Sequence, residues 1–167
     1  YKRIYESKEY PMKYYSTNGK APMVSLKNAV IKGLASDRGL YMPERIPTIP
    51  GAFFKNIDGM TLQEISYAVA NTMFGDDIES EVLKEIVDET LNFDIPLKHV
   101  SGNRYSLELY HGPTLAFKDV GARFMARLLG YFNSQSSDTR PVNVLVATSG
   151  DAGSAAANGF LGVDGVR

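Results

Sequence analysis

The chain contains no cysteine, which excludes disulfides, a cysteine nucleophile and thiolate metal sites. Its two histidines, His99 and His111, are too few for a histidine-based metal site without help from carboxylates. Neither sign of charge is in excess: 18 basic against 19 acidic side chains leave a net charge of −1. Such a balance creates no field that would draw the protein to nucleic acid or to an anionic membrane, and neither is expected as a partner. No apolar run is long enough to span a bilayer. No basic segment followed by an apolar one opens the chain in the manner of a secretory signal. A cytoplasmic location is the simplest expectation. What remains is ordinary for a globular chain, with 44% hydrophobic and 22% charged residues. The 167 residues can therefore build the core of one medium domain or two small ones.

Residues 1–11 are polar and aromatic without periodicity, and read as an upstream extension or an expression remnant ahead of Met12. From Met12 to about Phe93 the pattern is mostly helical. Ser25 is placed to cap a helix over 26–34, with Leu26, Ala29 and Val30 on one face. Ser36 to Gly39 reads as a turn and Leu40 to Met42 as an extended stretch. Pro43, Pro47 and Pro50 then forbid a continuous helix. Thr61 and Glu64 stand at capping-box spacing before a helix over 62–73. Ser80 is the expected cap of a further helix, whose buried stripe is Val82, Leu83, Ile86, Val87 and Leu91. Taken alone, this region is a small packing domain without chemistry.

The second region begins near Pro96. Residues 105–110 alternate like a strand. A turn at His111–Thr114 leads to a helix over 119–132, with Val120, Phe124, Leu128 and Leu129 facing inward. After a polar loop over 134–140, residues 142–147 form a short apolar run expected to be a buried parallel strand. A loop over 148–154 and a helix from Ala155 follow. This strand-loop-helix order is that of an open α/β sheet, which binds ligands at the carboxyl ends of its strands. Such a sheet needs further strands to bury both faces, so the expectation is a piece of a longer protein.

Two clusters carry candidate chemistry. In the first, Lys118 lies between Phe117 and Asp119 where a loop meets a helix. The helix dipole there disfavours an ammonium and burial acts the same way, favouring the neutral amine that forms imines with aldehydes. The plain alternative is a solvated lysine beside Asp119. In the second cluster, 148–154, Gly150 and Gly153 let backbone N–H groups turn toward one point, the next helix adds its positive end, and Thr148, Ser149 and Ser154 add hydroxyls. That suits a carboxylate or a phosphate, provided Asp151 is itself hydrogen-bonded. The plain alternative is a helix cap made by Ser149 or Asp151. The loop is not a Walker motif, a nucleophile elbow or a dinucleotide fingerprint.

The segment Leu107-Glu-Leu-Tyr-His-Gly-Pro-Thr-Leu-Ala-Phe-Lys-Asp119 resembles the lysine segment of threonine synthases, and Val146-Ala-Thr-Ser-Gly-Asp-Ala-Gly-Ser-Ala-Ala156 resembles their substrate loop. Met12-Lys-Tyr-Tyr-Ser-Thr-Asn18, Ala29-Val-Ile-Lys-Gly-Leu-Ala35 and Gly39-Leu-Tyr-Met-Pro43 are similar to their N-terminal region. The resemblance implies an α/β chain of fold-type II pyridoxal-phosphate enzymes: a mostly helical N-terminal domain over 12–95, then the first part of the cofactor-binding open-sheet domain over 96–167. It implies a carbon–oxygen lyase acting on phosphates, converting O-phospho-L-homoserine and water to L-threonine and phosphate. Lys118 would hold pyridoxal 5'-phosphate as a Schiff base. Ser149, Gly150, Asp151, Gly153 and Ser154 would receive the substrate's carboxylate or phosphate.

One position departs from the family's Gly-Asp-Thr-Gly: Ala152 stands for the threonine, one hydroxyl fewer. The family's cofactor-phosphate loop and pyridine-nitrogen partner come later in its chains, so the 167 residues alone are expected to be inactive. Two other readings stand beside this one. Another pyridoxal-phosphate lyase of the serine or threonine dehydratase kind is opposed by the N-terminal resemblance. A non-catalytic anion-binding or assembly module is separated from the enzyme by whether Lys118 reacts with an aldehyde.

Overall fold

The computed structural model describes residues 11–137 and 140–167. The reading of an N-terminal extension thus lies outside the described residues except for Pro11, as do positions 138 and 139 of the polar loop.

The first region is not helical alone. A three-stranded antiparallel sheet of order β2-β1-β3 opens it, made of β1 (Lys13–Ser16), β2 (Val24–Ser25) and β3 (Tyr41–Pro43). The strands are too short to give a period-2 signal, which is why the sequence showed only the extended stretch at β3. Tyr14, in the middle strand, sits opposite both Val24 and Pro43 and turns its ring into the core. Burial pushes its phenol up to about 12, with Asp77 adding to the shift.

Helix α1 (Leu26–Lys32) starts where its cap predicts, with the Ser25 hydroxyl accepting from Asn28 N, and ends at Gly33 with φ 67°. Helix α2 (Gly51–Asn56), unforeseen among the prolines, buries no side chain. Helix α3 (Leu62–Phe74) opens on the expected capping box between Thr61 and Glu64. In α4 (Ser80–Thr90) the expected cap is corrected by one residue. Glu79 is the N-cap, it makes no side-chain cap bond, and Ser80 is already helical. The stripe is as read: Leu83, Ile86, Val87 and Leu91 are buried and Val82 packs against them.

In the second region β4 (Leu97–Ser101) and β5 (Arg104–Leu107) form an exposed hairpin, so the strand expected over 105–110 starts one residue earlier and ends three earlier. Helix α5 (Lys118–Ser134) begins at the lysine itself, and α6 (Gly150–Phe160) begins at Gly150 instead of Ala155. The run 142–147 is not the buried strand expected. Val142 and Val144 pair in parallel with residues 165–167. Leu145 is 92% exposed, because among the described residues only that one neighbour lies alongside. The crossover from 142 through α6 to 167 is still a βαβ unit. One core holds the two regions together, with Leu128, Leu129 and Phe132 of α5 packed among Met12, Leu26, Val30, Leu83 and Ile86.

Candidate active site at two helix N-termini

Helices α5 and α6 pack together. Lys118 reaches Asp151 at their starts, Ala122 lies against Gly159, and Gly130 lies against Val163 just beyond α6. The helices therefore run the same way, and their positive N-terminal ends open side by side. A Cβ on Gly159 would come within 3.0–3.1 Å of Ala122, so small residues are what let the helices approach this closely.

Lys118 and Asp151, 33 residues apart, form an ion pair of 2.5 Å with side-chain exposures of 36% and 58%. This is neither the isolated lysine nor the Lys118–Asp119 pair of the plain reading. The hydrogen bond from Lys118 is the leading cause that holds the Asp151 carboxyl below its ordinary value, against partial desolvation. The Lys118 ammonium also lies 4.4 Å from the centre of the Phe117 ring, whose side chain is exposed. The second cluster, read as a loop, is the first turn of α6. Gly150 takes φ 68°, a left-handed conformation that lets the chain enter the helix sharply. Gly153 passes so close to Thr148 that a Cβ would stand 2.5 Å from the carbonyl oxygen. Ser149 is the N-cap but makes no side-chain cap bond. Asp151 accepts from Ala152 N at 3.0 Å. The Ser154 hydroxyl donates back to Gly150 O at 3.0 Å, so its proton is already used within the helix.

Asp119 escaped the sequence reading. It is completely buried and accepts from Thr114 N at 2.9 Å and Thr114 Oγ1 at 2.6 Å. No signal in the sequence marks it, because an acidic residue in the first turn of a helix is favoured on any surface. Beside the site, His111 Nε2 lies 2.8 Å from Glu108 Oε2, and that contact is the leading cause that lowers the Glu108 carboxyl below its ordinary value.

Fold and site together define an α/β chain of the kind that opens fold-type II pyridoxal-phosphate enzymes: a lead-in region of short strands and helices, then a lysine-bearing helix beside the glycine-rich start of a βαβ unit. The model described as threonine synthase N terminus matches residues 13–91. Threonine synthase of Pseudomonas aeruginosa is 36% identical over 160 residues, covering 93% of this chain and 34% of that protein. The Escherichia coli threonine synthase is 36% identical over 156 residues, covering 93% and 36%. The crystal structure of PLP-bound threonine synthase from Brucella melitensis superposes with a TM-score of 0.86 at 36% identity, covering 93% and 34%. The chain is thus similar to the N-terminal part of threonine synthases along nearly its whole length, as its motifs imply, and it spans about a third of the relatives it matches.

Proposed function

We propose that the chain is the N-terminal portion of a threonine synthase, a carbon–oxygen lyase that acts on O-phospho-L-homoserine and water and releases L-threonine and phosphate. As a biosynthetic enzyme of this kind it would work in the cytoplasm. The observation that carries the reading is the Lys118–Asp151 pair, which brings the two candidate motifs to one point.

The residues fit pyridoxal 5'-phosphate. The Lys118 amine is reachable from solvent, lies against an aromatic face, and stands where two helix N-termini converge. Lys118 would bond the cofactor aldehyde. The cofactor supplies an electron sink for carbanions formed on the substrate. With the cofactor and substrate in place, Lys118 would be the group positioned to move protons at the substrate Cα and the neighbouring carbons. The uncapped start of α6, from Ser149 and Gly150 through Asp151 and Gly153 to Ser154, offers N–H donors to the substrate carboxylate or phosphate. Asp151, ionised and close to Lys118, keeps that turn from being purely anion-binding while the pair lasts. Ala152 contributes no hydroxyl, so anion binding there rests on the backbone.

The test is an absorbance spectrum of the full-length protein with added pyridoxal phosphate, followed by borohydride reduction and peptide mapping. A yellow band, label on Lys118, and loss of both in Lys118→Ala are expected. Label on other lysines alone would leave Lys118 a counter-ion in an anion-binding module.

A further inference from the structure

The lysine segment contains a group that the reaction above does not use. Asp119 follows Lys118 in α5, yet none of its surface is exposed. A buried carboxylate is costly unless hydrogen bonds replace its water. Asp119 receives them from one short stretch: Thr114 N and Thr114 Oγ1 at 2.9 and 2.6 Å, and a longer one from Ala116 N at 3.5 Å.

That stretch is strained. Two successive turns, closed by Leu115 N to Gly112 O and by Asp119 N to Ala116 O, both at 3.0 Å, bring the chain into α5. Between them Leu115 adopts φ 57°, a region that a side-chain-bearing residue rarely enters. Its side chain is 76% exposed, so packing of Leu115 does not compensate the strain. Conformations of this kind persist only where the surroundings over-determine them. Here the surroundings are the Asp119 carboxylate and the close passage of Gly112 against it. A Cβ on Gly112 would stand 2.6 Å from Asp119 Oδ2 and 3.0 Å from the Phe93 ring. Phe117 and Lys118 follow at once, the ring exposed and the amine directed at Asp151.

We infer that Asp119 is a positioning residue for Lys118: it clamps the Thr114–Ala116 turn in its left-handed form and thereby aims the amine at the start of α6. The inference rests on Lys118 being the cofactor lysine. It adds that the aim of the amine is set by a carboxylate that touches neither cofactor nor substrate.

The experiment uses the full-length protein, pyridoxal phosphate and borohydride, and reads the ratio of label on Lys118 to label on the hairpin lysine Lys98 across a pH series. A residue that only stabilises the fold would move both lysines together. A clamp that aims Lys118 moves the ratio. Displacing a reactive group by about 1 Å can cost on the order of 100-fold. Asp119→Asn is therefore expected to lower the ratio at least tenfold with native circular dichroism. Thr114→Val should lower it several-fold, and Thr114→Ser, which keeps the hydroxyl, should restore it. If Asp119→Asn does not fold, Thr114→Val decides, since it leaves the buried carboxylate in place. A wild-type ratio in folded Asp119→Asn or in Thr114→Val would overturn the inference, as would a parallel loss of label on both lysines. Failure of the unmutated protein to favour Lys118 would instead overturn the cofactor reading, and the clamp with it.

Discussion

Gly153 has no room for a side chain, and the consequence can be worked out. An added Cβ would stand 2.5 Å from the Thr148 carbonyl oxygen and 3.3 Å from its carbon. Both atoms are backbone, so relief requires a main-chain shift of roughly 1 Å before ordinary contact at about 3.5 Å is reached. Alanine in a helix is favoured over glycine by about 1 kcal/mol. Forcing a methyl group into a filled space costs about 1–3 kcal/mol. The clash outweighs the propensity, and Gly153→Ala should lose up to about 2 kcal/mol, with the first turn of α6 opening. Gly121, in α5, supplies the control. Nothing lies within 4 Å of a Cβ there. Only the helix preference remains, and Gly121→Ala should gain about 0.5–1 kcal/mol. Urea unfolding followed by circular dichroism reads both changes as midpoint shifts at constant m. A Gly153→Ala variant more stable than the parent, and so shifted in the same direction as Gly121→Ala, would refute the reasoning.

Asp37 accepts from Ser16 Oγ at 2.6 Å and from the amides of Lys20, Ala21 and Gly39. These bonds, that of Ser16 foremost, hold its carboxyl at about 2 instead of 3.8. A carboxyl depressed in the folded state adds stability above its ordinary value and loses it as pH falls through the folded one. The urea midpoint should therefore drop between pH 3.8 and about 2, and Asp37→Asn should lower it at neutral pH and flatten that drop; an unchanged neutral midpoint would count against the clamp. Leu83 has no exposed surface and packs in the core shared by α4 and α5. Leu83→Ala should cost about 2–5 kcal/mol in the same assay, and a loss under 1 kcal/mol would mean that the core is not packed as described.

The sequence was most legible where one residue type decides the backbone locally. Ser25 and the Thr61–Glu64 pair placed the starts of α1 and α3 to the residue. The spacing of Leu83, Ile86, Val87 and Leu91 identified the buried face of α4. It was less legible where tertiary neighbours decide. The strands β1 and β2 are four and two residues long, too short for alternation to show. The run 142–147 is apolar enough for a central strand, but burial depends on neighbours that lie far along the chain. The glycines at 150 and 153 suggested a loop, because glycine weakens helices in general. Gly153 is there for a close approach to Thr148, and Gly150 for a positive φ at the helix start. Both are compatible with α6 starting five residues before the position expected.

The same distinction explains why Lys118 drew attention in the sequence and the burial of Asp119 did not. Lys118 was conspicuous because a cation at a helix start runs against the dipole and calls for a reason. Asp119 looked ordinary, since an acidic residue in the first turn of a helix is favoured on any surface. Its burial follows from the turn that precedes α5. Thr114 and Ala116 fold back over the start of the helix and bond the Asp119 carboxylate, while Lys118 reaches Asp151. An otherwise common Lys-Asp pair becomes an accessible amine mounted on a buried anchor.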